Sequence, residues 1–110
     1  MKANEILQHA IAEMDARAIT YDKPEGERSM AKTIAMFNAL TGHALTETEG
    51  WQFMACLKMA RSTQGAHHPD NHIDHAAYAA LAGESASAAN SQKAPDREWP
   101  TEFEPIANRT

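Results

Sequence analysis

The stretch Leu45-Thr46-Glu47-Thr48-Glu49-Gly50-Trp51-Gln52-Phe53-Met54-Ala55-Cys56-Leu57-Lys58-Met59-Ala60-Arg61 decides how this chain folds. Thr46 followed three residues later by Glu49 is a capping box. The threonine hydroxyl accepts from the Glu49 N–H while the Glu49 carboxylate reaches back to the Thr46 N–H, meeting two donors that a helix start leaves orphaned. Behind this start, Phe53, Met54, Leu57 and Ala60 recur at the spacing of one helical face, which predicts a helix with that face inward.

Working outward, three further segments read the same way. Upstream, Asn4 is placed to cap a helix whose stripe is Leu7, Ile11, Met14 and Ala18. A second helix opens at Ser29 with Met30, Ile34 and Phe37 as its stripe, and Gly42 is placed to end it. Downstream, a helix follows Pro69, with Asp70 as cap, Ile73, Ala77, Ala80 and Leu81 inward, and Gly83 as its end. No stretch alternates as a strand would. The predicted fold class is all-α, a compact bundle of about four helices spanning residues 1–84. Residues 85–110, SASAANSQKAPDREWPTEFEPIANRT, combine small polar residues with Pro95, Pro100 and Pro105. Such a segment buries too little surface to offset its ordering entropy, so it is predicted to be a disordered tail. Its Trp99 and Phe103 can still dock onto the domain or a neighbouring subunit.

Composition narrows the class. The 110 residues fit one domain, and aromatics at 6% suit helices packed through small side chains. Ten basic residues against 15 acidic give a net charge of −5, which argues against a protein that coats DNA or RNA. The lone cysteine, Cys56, cannot form an internal disulfide, and its apolar mid-helix neighbours predict a buried, inert thiol. Charges within the apolar run of the N-terminus predict neither signal peptide nor membrane span, hence a cytoplasmic protein with no membrane partner.

Two sets of residues can carry chemistry. In the linker Tyr21-Asp22-Lys23-Pro24-Glu25-Gly26-Glu27-Arg28-Ser29, a loop feeding a helix N-terminus can bind an anion, with Arg28 as a bidentate donor and Ser29 at the helix start. Lys32 follows one turn later. In the second set, Lys58 and Arg61 share a face of one helix, and Asp74 and Tyr78 share a face of the next. Antiparallel packing brings them together. The result is either an ordinary interhelical ion pair, Arg61 with Asp74, or a site with two cations for phosphates, a carboxylate for hydroxyl or amino groups, and a ring for stacking. The histidines of His67-His68-Pro69-Asp70-Asn71-His72-Ile73-Asp74-His75 match no defined metal motif, and read better as surface residues at a helix start. No cofactor or metal is expected.

Specific residues also carry a resemblance. Tyr21-Asp22-x-Pro24-Glu25-Gly26-Glu27-Arg28-Ser29-Met30, Leu45-Thr46-Glu47-x-Glu49-Gly50-Trp51, Leu57-Lys58, Arg61, Asp74 and Tyr78 together resemble an uncharacterised domain family of phages and prophages, over roughly residues 17–84. A weaker resemblance is to the all-α nucleotide pyrophosphohydrolases of the MazG type, which place a Lys/Arg pair on one helix and Asp and Tyr on the next. Those enzymes hold magnesium through Glu-x-x-Glu and Glu-x-x-Asp pairs, and no Glu-x-x-Glu occurs here on a core helix.

The expected function is therefore capture of a nucleotide-like anion rather than its hydrolysis. Arg28, Ser29, Lys32, Lys58 and Arg61 would hold phosphates, Asp74 would take hydroxyl or amino groups, and Tyr21, Trp51 or Tyr78 would stack on a base. In a phage setting this suggests sequestration of a host immune nucleotide signal, within a homo-oligomer. The alternatives are a nucleotide-processing enzyme, pyrophosphohydrolase or kinase-like, and a protein-binding inhibitor of a host complex.

Overall fold

A computed structural model describes residues 1–21 and 29–92, and these form four helices: α1 (Ala3–Tyr21), α2 (Ser29–Thr41), α3 (Glu47–Ser62) and α4 (Pro69–Gln92). No strand occurs among the described residues. The linker set from Asp22 to Arg28, the Tyr21 side chain and residues 93–110 lie outside what is described.

The α3 start forms as its sequence dictates. Thr46 Oγ1 accepts from the Glu49 N–H at 3.1 Å, and Glu49 Oε1 accepts from the Thr46 N–H at 2.9 Å. Gly42 closes α2 with φ at +78°, a conformation that costs a side chain but not glycine, and its N–H reaches the Asn38 carbonyl at 2.8 Å. Three other helix ends differ from expectation. Asn4 lies within α1, where the Lys2 carbonyl takes the Ile6 N–H at 3.1 Å. Asp70 lies in the first turn of α4 behind Pro69, where its carboxylate favours the helix dipole without capping it. Gly83 does not end α4.

The reason for the last difference is visible in the backbone. A glycine ends a helix by turning left-handed, and Gly83 is not among the described glycines with positive φ. The alanines that follow, Ala86, Ala88 and Ala89, favour helix, and Ser85 Oγ lies 2.8 Å from Thr48 Oγ1 of α3. The first eight residues of the expected tail, Ser85 to Gln92, are thus helical. A Cβ at Gly83 would meet nothing within 4 Å. Gly83→Ala is therefore expected to stabilise the fold by about 0.5–1 kcal/mol, read as a rise in the urea midpoint at unchanged m-value.

α3 and α4 form the main packed pair, α1 lies on α4, and α2 lies on α3. One buried cluster joins Met30, Trp51, Ala55, Tyr78, Leu81 and Ala82; a second joins Ala10, Ile73 and Ala77, and Met14 packs against both. Alanines at Ala10, Ala55 and Ala77 let the helix axes approach closely. At Gly50, α2 comes closer still, since a Cβ there would stand 2.6 Å from the Met30 sulfur.

On α1 and α3 the inward faces are rotated from those expected, while Met30 of α2 is buried as its stripe predicts. On α3 the buried residues are Gly50, Trp51 and Ala55, with Met54 and Leu57 half-buried, while Phe53 and Ala60 are exposed. On α1, Ala10 is buried and Leu7 and Ile11 are exposed; on α4, Ile73, Ala77 and Leu81 are buried as expected, joined by Tyr78 and Ala82, while Ala80 is exposed. Phe37 is also largely exposed, and Cys56 is exposed rather than buried. At Ala10 beside Ile11, and at Ala55 beside Cys56, the small residue offers the closer helix contact.

Candidate functional site

The seam between α1, α3 and α4 gathers the polar residues that the core would otherwise exclude. Lys58 Nζ lies 2.9 Å from Asp74 Oδ2, with the two side chains 14% and 13% exposed. Long polar side chains reach such a position by laying their stems over apolar surface. The expected pairing is corrected in its partner: Lys58, not Arg61, takes Asp74, and Arg61 is exposed one turn further along α3.

α1 supplies two charged residues that the sequence reading missed. Glu13 is half-buried and its carboxyl is pushed above the usual glutamate range, first by desolvation, then by a hydrogen bond and like charge from Asp74. Asp70 acts in the same direction, and Arg17 opposes them. Arg17 places its guanidinium carbon 5.7 Å from the centre of the Tyr78 ring, a cation–π arrangement. The signal for these residues was present. Ile6, Ala10, Met14 and Arg17 follow helical spacing as well as Leu7, Ile11, Met14 and Ala18 do, and Glu13 borders that line.

The aromatic residues have a different role from the one expected. Trp51 and Tyr78 stack on each other, with ring centres 5.8 Å apart and planes inclined by 23°, and are 3% and 7% exposed. A ligand base cannot use faces that the core already covers. Ser29 begins α2 and Lys32 is exposed one turn later. Met30, next to Ser29, packs in the same cluster as Trp51 and Tyr78, the ring over which Arg17 lies. Tyr21 is the last residue of α1, and Arg28 lies outside the described residues.

The histidine cluster stays at the surface. His67, His68 and His72 are exposed, with the His67 and His72 rings 5.7 Å apart. Among the described residues no three His, Cys, Asp or Glu side chains converge as metal ligands. No described helix is long and apolar enough to cross a membrane.

Fold and seam together define a small four-helix domain with a charged seam laid over an aromatic core. Residues 5–86 match the family described as a domain of unknown function (DUF6378), and the chain belongs to that family. No curated protein and no solved structure matches it.

Proposed function

We propose that this protein captures a small, nucleotide-like anion and holds it without turnover, and that in a phage or prophage it thereby sequesters a host immune nucleotide signal. The observation that supports this most is the sheltered Lys58–Asp74 pair, with Arg17 and the half-buried Glu13 beside it. Charged groups withdrawn from water in a small domain cost stability, and replacing such a pair with apolar residues is often neutral or better. Their presence favours a role other than holding the fold together. A ligand phosphate would take Asp74's place on Lys58, with Arg17 and the Ser29–Lys32 start of α2 as further donors. Asp74 and Glu13, released from the cation, would share a proton or accept from ligand hydroxyl and amino groups. Arg61 at the exposed edge, Tyr21 at the end of α1 and Arg28 beyond it complete the proposed set. Trp51 and Tyr78 act in this reading as the floor under the seam.

The test is calorimetry of the full chain against nucleotides, cyclic dinucleotides and ADP-ribose derivatives. One class is expected to bind, and Lys58→Gln is expected to weaken it at least about tenfold, the equivalent of one lost charge-assisted hydrogen bond. Binding is also expected to tighten as pH falls into the range above 4.5 where Glu13 takes up its proton, since one negative charge then leaves the seam. Silence across the whole panel would overturn the reading.

A second reading has its own observation. Glu13 beside Asp74 brings two carboxylates of different helices together, a pair that could position a nucleotide-processing reaction's proton or share a magnesium with the substrate's phosphates. Turnover of a deoxynucleotide with magnesium or manganese, lost in a folded Asp74→Asn variant, would establish it in place of capture.

A further inference from the structure

α2 is the helix with least support and the most apolar surface in the open. Its first half is held, with Met30 buried and Ile34 half-buried against Gly50 of α3. Its second half exposes Met36 (74%), Leu40 (84%) and much of Phe37. A helix of 13 residues does not persist in water on propensity alone, and needs its apolar stripe covered.

The exposed half is nevertheless firmly built. The Asn38 side chain meets both backbone groups of Leu45, donating to its carbonyl at 2.9 Å and accepting from its N–H at 3.0 Å. Thr41 Oγ1 donates to the Phe37 carbonyl at 2.8 Å and accepts from the His43 N–H at 3.3 Å, and the Phe37 ring lies against His43. The end of α2 and its return loop are thus fixed in shape, which lowers the ordering cost of docking.

We infer that this surface is where a second copy of the chain docks, the exposed half of α2 in one protomer packing against the same surface of its partner. Two observations select a copy of the chain over another partner. First, from Thr33 to Gly42 there is no Asp, Glu, Lys or Arg, so two molecules of net charge −5 meet here without juxtaposing like charges. A partner selected by charge would find nothing on α2's outer half to read. Second, the area is close to what a dimer needs. Met36, Phe37, Leu40 and Leu45 leave roughly 500 Å² uncovered, taking about 200 Å² for a fully exposed side chain of this size. With its rim of small residues this approaches the ~800 Å² per partner of a standard interface. The inference does not depend on the ligand.

Sedimentation velocity of the full chain tests it. The expected result is a species of twice the 12.1 kDa chain mass at micromolar concentration. Leu40→Glu and, independently, Met36→Glu are each expected to weaken association at least 100-fold with helical circular dichroism unchanged. Met59→Glu, which alters an exposed methionine on α3, is expected to leave the dimer intact. A wild-type chain that stays monomeric at about 100 μM, the limit of useful affinity for such a contact, overturns the inference. So does a dimer that survives both α2 substitutions, because its contact then lies elsewhere, and so does equal loss in Met59→Glu.

Discussion

Trp51→Ala is expected to cost about 3–5 kcal/mol, a large share of the stability of a domain of this size. Trp51 is 3% exposed and stacked on Tyr78, and it lies in the cluster that joins α2, α3 and α4. Its removal leaves a cavity in the cluster of Met30, Ala55, Leu81 and Ala82. Two of the neighbouring residues are alanines, which cannot swing into the space. The loss also reaches the seam, because Tyr78 then lacks the ring that fixes it under Arg17. Chemical denaturation followed by far-UV circular dichroism reads the effect. Trp51→Phe, which keeps a ring for Tyr78, is expected to recover more than half of it. A Trp51→Ala protein that unfolds at the wild-type midpoint would show that the aromatic pair is not the centre of the core.

The sequence made the helices legible where a local rule acts on the residues themselves. The Thr46–Glu49 box and Gly42 depend on hydrogen bonds within a few residues, and both form as their spacing requires. Inward faces were harder because they are decided by contact between helices. A stripe of large apolar residues and a neighbouring stripe containing alanine fit the same 3.6-residue period on α1 and α3, and packing chose the one that let the axes close. The end of α4 is set by contact between helices as well. Gly83 signals a stop only if it turns left-handed, and the Thr48–Ser85 contact holds the chain in helix. In the seam, Lys58 and Asp74 are legible from their faces. Glu13 and Arg17 are not, because the largest apolar residues of α1, Leu7 and Ile11, mark its other side.

Lys58→Met is expected to be the second most damaging change, at about 1–3 kcal/mol near pH 7. That lies between the small value of an exposed ion pair and the loss from breaking a buried one. Methionine keeps the length and apolar stem of lysine, so packing is largely conserved and the effect reports the charge. Without the ammonium, Asp74 faces Glu13 and Asp70, with Arg17 the remaining cation whose effect reaches Glu13. The pH dependence distinguishes this from a packing defect. Glu13 has a folded-state pKa raised above 4.5, so the folded form binds its proton more tightly than the unfolded form. The resulting stability is fully present below 4.5 and is lost as pH rises through the raised folded value. In Lys58→Met that raised value moves further up, because the Asp74 charge beside Glu13 is no longer neutralised. The deficit should therefore be largest at neutral pH and shrink as pH falls towards 4.5. Glu13→Gln supplies the complement, since it removes the charge that the seam disfavours. In the Lys58→Met background it is expected to restore much of the lost stability at pH 7 and little at pH 4.5. Thermal unfolding of the two single variants and the double across that range decides the matter. A deficit that stays constant with pH would place the role of Lys58 in its packed stem, not in its charge.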